Sequence, residues 1–171
     1  IDRQVLSLYP AHPFVPYALD GVAWGLFLQG QDAAVQRERQ KLSDHGRRWG
    51  IPEELARLNL YETANCLFNQ KRYMDALSLY TRVASEHPEH ERAPEARYRA
   101  GLCYYRLESF GQAVQAWERV EQDSAGSPVS VRAAWQIADT YFRARKYDTG
   151  IATYQRILDR YAAGPSEAAT A

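Results

Sequence analysis

The stretch Glu86-His87-Pro88-Glu89-His90-Glu91 gathers two imidazoles and three carboxylates within six residues. Such groups ligate zinc when a helix places two histidines one turn apart with a glutamate beside them. Here the histidines are three residues apart and a proline separates them, so the stretch reads as a solvated linker and no metal site is expected. Cys66 and Cys103 each lie inside an apolar helical stretch, TANCLF and GLCYYRL, and read as small buried hydrophobes. The chain holds neither a G-x-S-x-G elbow nor a phosphate-cradling glycine loop. Catalysis is therefore not expected, and no cofactor is implied.

The elements that would position any site follow from bulk properties and periodicity. The 171 residues suffice for one domain or a short array of repeats. Lysine plus arginine and aspartate plus glutamate number 21 each, so no net charge draws the chain to nucleic acid. Local basic clusters at Arg37–Lys41 and Arg47–Arg48 do not change that balance. No apolar run approaches the ~20 residues of a membrane span, so this segment is not expected to insert into a bilayer directly. The chain opens at Ile1 in helical patterning without a methionine, and we read it as a fragment of a longer protein.

Sliding the sequence along itself exposes a repeat. Residue class recurs with a step of 37 at Tyr61/Tyr98/Trp135, Ala64/Gly101/Ala138, Phe68/Tyr105/Phe142 and Tyr73/Phe110/Tyr147. The same step of 37 joins Ala76/Ala113/Gly150, Tyr80/Trp117/Tyr154, Arg82/Arg119/Arg156 and Val83/Val120/Ile157. Helical spacing of apolar residues divides each unit into a first helix, over 55–70, 93–107 and 129–144, and a second, over 73–86, 110–122 and 147–161. Pro94 and Pro128 suit a first helical turn, and Ser127 suits a cap. The connections NQKRY, LESF and ARKY allow only tight turns, so paired helices must be antiparallel. Gly101, a poor helix former, then makes sense as a point of close approach between two helices.

The pattern small-x-x-Tyr (Leu67 in the first copy), five more residues, then Tyr/Phe-x-x-small-x-x-x-aromatic, stands in ANCLFNQKRYMDALSLYTRV, GLCYYRLESFGQAVQAWERV and ADTYFRARKYDTGIATYQRI. It resembles the tetratricopeptide repeat, lengthened here from the usual period of about 34 residues. The resemblance implies an all-α fold, a right-handed superhelix of antiparallel helix pairs. The linkers LYPAHPFVPYA and SEHPEHERAPEARYRAG resemble those of bacterial envelope members, namely the Tol–Pal-associated periplasmic coordinator of cell division and the outer-membrane assembly lipoprotein. That likeness implies a periplasmic or cell-envelope location.

On this register the chain divides into a closing helix of an upstream repeat (1–9), a degenerate unit (14–43), an inserted loop (44–54), three repeat units (55–88, 92–125 and 129–162) and a linker or tail (163–171). The degenerate unit reads as helices over 14–29 and 31–43, the second having lost its aromatic marker, with Ala34 aligned on Ala76 and a five-residue surplus.

In this family the first helices line a concave groove that binds a protein or peptide. Carried over by position, the groove comprises Tyr61, Asn65, Phe68, Tyr98, Leu102, Tyr105, Arg106, Trp135, Asp139, Phe142 and Arg143. The degenerate unit would add Tyr17, Asp20, Trp24, Phe27 and Leu28. Aromatics mixed with isolated arginine and asparagine are the composition of protein-binding hot spots. Asn65 matches one position of the family's carboxylate clamp, but Tyr61, Tyr98 and Trp135 stand where its cations belong, so that clamp is not expected. Two alternatives remain: an architectural spacer or self-assembling segment of a longer repeat chain, and an accessory interaction domain of an enzyme.

Overall fold

Backbone closure at the tight turns sets the architecture. After Leu28, Asn69, Arg106 and Arg143 the chain reverses through a residue of left-handed conformation, respectively Gly30, Lys71, Glu108 and Arg145, with φ near +60 to +70°. The following N–H groups of Gln31, Arg72, Ser109 and Lys146 reach back to the carbonyls of Leu26, Leu67, Tyr104 and Tyr141, at 2.8–3.0 Å. This bond satisfies an otherwise orphaned carbonyl at each helix end and turns the next helix antiparallel to the last.

A computed structural model describes Leu8 and residues 10–162. Among the described residues eight helices follow one another: α1 (Val15–Leu28), α2 (Asp32–Trp49), α3 (Glu53–Asn69), α4 (Tyr73–Glu86), α5 (Ala93–Arg106), α6 (Phe110–Asp123), α7 (Pro128–Arg143) and α8 (Tyr147–Ala162). The fold is all-α, built as tandem antiparallel hairpins, and the helix ends lie within two residues of those expected over 55–161. Pro128 opens α7 behind Ser127, whose Oγ accepts from the Ser130 N–H at 3.3 Å. No helix among the described residues is long and apolar enough to cross a membrane. The expected upstream helix (1–9, save Leu8) and the tail (163–171) lie outside the described residues.

The segment expected as an inserted loop over 44–54 is different. Helix α2 continues through it to Trp49 and stops only at Gly50, whose φ of +79° favours glycine. At 18 residues, α2 exceeds the 14 of α4 and α6 by one turn of helix. Its buried positions, Val35, Arg39 and Leu42, have the spacing of Ala76, Tyr80 and Val83 one repeat on. The true step between these units is thus 41, with Val35 rather than Ala34 aligned on Ala76. The degenerate unit lacks the aromatic marker, as expected. It carries Arg39 in the aromatic's place.

The chain forms two compact units that divide between His87 and Pro88. In the first, α1–α4, Val15, Leu19, Leu42 and Leu55 form one apolar cluster, and Ala23, Val35 and Cys66 another. In the second, α5–α8, Trp117 is fully buried among Tyr98, Ala113, Val120, Ala133 and Ile137. Gly101 explains itself here: a Cβ on it would lie 2.3 Å from Trp117 Nε1. Indole needs that space, whereas Tyr80 and Tyr154 tolerate Ala64 and Ala138 at the equivalent site.

Candidate functional site

A face built from first helices draws its side chains from a register shared between repeats. In the second unit α5 offers Glu95, Tyr98, Leu102, Tyr105 and Arg106, while α7 offers Arg132, Trp135, Asp139, Phe142 and Arg143. The structure links the two helices directly. Arg132 forms an ion pair with Glu95 and lies over the Tyr98 ring, 4.7 Å from its centroid. The Tyr105 hydroxyl donates to Asp139 Oδ2 at 3.2 Å and accepts from Arg143 Nη1 at 3.2 Å. The same guanidinium lies 5.2 Å from the Tyr105 ring centroid. These contacts hold the face in one arrangement before any partner arrives, which lowers the ordering cost of binding.

The expected site residues separate by burial. Tyr61 and Tyr98 are buried, which corrects their expected place in the groove. Tyr61 meets Tyr80 edge-on at 5.9 Å, and Tyr98 tilts against Trp117 at 6.3 Å. Their rings complete the hairpin core because the ring two turns into the second helix packs against them. Burial pushes the Tyr98 phenol above its ordinary pKa, a secondary sign of its core position. Asn65 is committed internally: it accepts from the Tyr80 hydroxyl at 2.6 Å and donates to Glu62 at 3.1 Å. Leu102 packs against the core of its unit. Phe68 and Phe142 are half-buried against Tyr73 and Tyr147, at 5.3 and 6.0 Å. Tyr105 is half-buried against Phe110 and Trp117. Arg106, Asp139 and Arg143 are exposed. Trp135 keeps 46 % of its surface in water although one side of its ring leans on Tyr154 at 5.1 Å.

Other candidate chemistry resolves simply. Burial in apolar surroundings pushes the Cys66 thiol up to about 11 and that of Cys103 to about 12, which leaves both as protonated, unreactive sulfhydryls at neutral pH. His90 Nδ1 accepts from the Arg92 N–H at 3.1 Å, so its ring shapes the turn into α5. Among the described residues no three His, Cys, Asp or Glu side chains gather as metal ligands would.

A model of the tetratricopeptide repeat matches residues 61–128 and again 107–168, which together exceed half of the chain. The chain belongs to the tetratricopeptide repeat family. Members of this TPR family are generally protein–protein interaction scaffolds and typically not enzymes. A Schizosaccharomyces pombe relative, Tetratricopeptide repeat protein 1, is 29 % identical over 96 residues, which are 56 % of this chain and 9 % of the relative. The chain thus spans less than a tenth of that protein. Among solved structures, MamA from Desulfovibrio magneticus RS-1 (residues 41 to the end) has a TM-score of 0.67 at 18 % identity, covering 84 % of this chain and 74 % of that one. A Podosopora anserina kinesin light chain with nearly identical TPR-like repeats reaches 0.73 at 13 % identity, with 92 % and 82 % covered. At these identities the likeness speaks to the TPR fold alone.

Sequence reasoning missed the polar links between repeats. Glu95 and Arg132 occupy the same register position 37 residues apart, so opposite charges at one repeat step were the available signal. It also missed Arg39, whose ion pair with Asp20 spans 19 residues. The ring pairs 61–80, 98–117 and 135–154 have that same separation of 19.

Proposed function

We propose that this TPR segment is a non-enzymatic scaffold that binds a peptide or partner domain on its first-helix face, within bacterial envelope assembly or maintenance. The observation that carries the reading is Trp135, half in water amid an ordered frame of polar side chains. A large apolar ring left exposed is costly in isolation and valuable when a partner covers it. Trp135 supplies the apolar anchor, and exposed Arg106 and Arg143 orient acidic or carbonyl groups of the partner. The envelope part of the reading rests on the proline-rich linkers at 8–18 and 85–101.

Tyr105 and Phe142 are poor choices for testing this, since truncating rings that pack against Phe110 or Tyr147 confuses binding with folding. A Trp135→Ala/Arg106→Ala variant alters exposed groups instead. It should retain wild-type helicity by circular dichroism and lose the partner captured by the wild-type chain from solubilised envelopes. Equal capture by both proteins sinks the reading.

A second reading, self-association, is favoured by one observation in the second unit. Val114 and Glu121 on α6 are buried, while their counterparts 37 residues on, Ile151 and Leu158 on α8, are exposed alongside Tyr147. Sedimentation across a concentration series tests it: association should disappear on Ile151→Glu/Leu158→Glu.

A further inference from the structure

We propose that α1 and the adjoining edge of α3 form a second docking surface, which takes a partner segment carrying a basic side chain next to an apolar one. The surface is part of the first-helix face, so the inference rests on the scaffold reading, but it lies wholly within the first unit and is read out separately from Trp135. Tyr17, Trp24 and Leu28 are 54 %, 49 % and 69 % exposed. Their spacing of seven and four residues aligns them along one side of α1. Exposed apolar side chains scattered singly need no explanation, but two rings and a leucine in one stripe mark an interaction face.

Charge decides what that face accepts. Asp20 stands between Tyr17 and Trp24 on the same side of the helix, and its carboxylate is ion-paired to Arg39 of α2. The Asp20 side chain is 25 % exposed and that of Arg39 only 3 %, so the pair turns its negative end towards solvent. Glu62 supplies a second carboxylate from the outward register of α3. The Glu62 carboxylate accepts from the Asn65 amide of the same helix at 3.1 Å.

Along the outward register of α1 and α3, Asp20 and Glu62 are the only charged residues. The same register on α5 and α7 carries Glu95 and Asp139 against Arg99, Arg106, Arg132 and Arg143. The first unit is acidic and aromatic where the second is predominantly basic. A guanidinium or ammonium seated between Tyr17 and Trp24 gains cation–π attraction from the rings and a charge-assisted hydrogen bond to the carboxylate. An apolar neighbour in the same segment would cover Leu28. An acidic segment meets like charge and is excluded.

The test uses the whole chain and the indole N–H signals of its four tryptophans in a 15N-resolved NMR titration. The probes are acetyl-Leu-Arg-Leu-Arg-amide and its twin with citrulline in place of arginine, which is nearly isosteric and uncharged. The Trp24 signal should move saturably with the arginine peptide and bind the citrulline twin roughly tenfold more weakly, a loss of one cation–π and ion-pair contact. Asp20→Tyr/Arg39→Tyr restores the ring pair used at 61–80, so the variant should fold while losing the preference for arginine. Equal response to both peptides, no response, or a preserved preference in the double variant overturns the proposal. So does movement of Trp24 on concentrating the chain alone, which would make a second copy the occupant. The Trp135 indole reports the other face in the same spectra, so failure at Trp24 is distinguishable from failure of the scaffold reading.

Discussion

Asp20 with Arg39 in the first unit and Tyr98 with Trp117 in the second stand 19 residues apart and occupy the same place in their hairpins. One couple is ionic and the other aromatic, yet both close a first helix onto a second. The comparison teaches that this helix pairing does not depend on one chemistry. Turn closure and small residues at the crossing bring the backbones together, and whatever couple stands at the centre must fill the space and satisfy its own polar atoms. The ring couple does so by burial, with the Trp117 indole N–H donating to the Tyr98 carbonyl at 3.0 Å. The ionic couple leaves Arg39 Nε without a hydrogen-bond partner among the described residues, and it leaves a carboxylate at the surface. What differs in consequence is the outward face, acidic in one unit and basic in the other.

The comparison breaks most severely at Asp20. Asp20→Ala leaves the Arg39 guanidinium buried without its counter-ion, which should cost about 3 kcal/mol in thermal or urea unfolding of the first unit. Repacking both positions as tyrosine should be neutral or stabilising by about 1 kcal/mol, because a well-packed apolar couple avoids desolvating charge. If Asp20→Ala unfolds no more easily than wild type, the pair is not structural and the equivalence with the ring couples fails.

A somewhat smaller effect probes the aromatic side. Gly101→Ala puts a methyl into the Trp117 indole and should cost roughly 2 kcal/mol by overpacking. Adding Trp117→Tyr recreates the Ala64/Tyr80 combination and should recover most of that loss, a coupling that a double-mutant cycle reads directly. Additive losses would show that the glycine serves some other purpose. The smallest effect compares the turns: Gly30 takes the left-handed position in the first unit, and Glu108 strains into it in the second at φ +59°. Glu108→Gly should raise stability by up to about 1 kcal/mol, visible as a shift in the urea midpoint of the second unit.

Much of the fold was legible because the information is local and repeated. A residue such as Phe110 or Trp117 recurring every 37 positions reports helix period, hairpin length and core face at once. At 44–54 the surplus residues include Gly46, Gly50 and Pro52, types that favour a loop. Gly46 instead lies within α2, tolerated because the added turn of helix packs against Ile51. The candidate face was less legible. Register alone placed Tyr61 and Trp135 at equivalent positions, but one is buried and the other half exposed. That difference depends on what each neighbouring helix leaves uncovered, and no periodicity encodes it.

The residue sequence alone therefore determined the repeated helices over 55–161, their antiparallel pairing and the register that each side chain shares with its counterparts. Those follow from hydrophobic period, turn length and steric limits, which act over a few residues. Tertiary structure alone decided that Arg39 takes an aromatic's place, that Asn65 is spent on Tyr80, and that Arg143, Tyr105 and Asp139 join across 34–38 residues. Such couplings depend on the burial and distance of groups far apart in the chain, and electrostatic and hydrogen-bond energies change steeply with both.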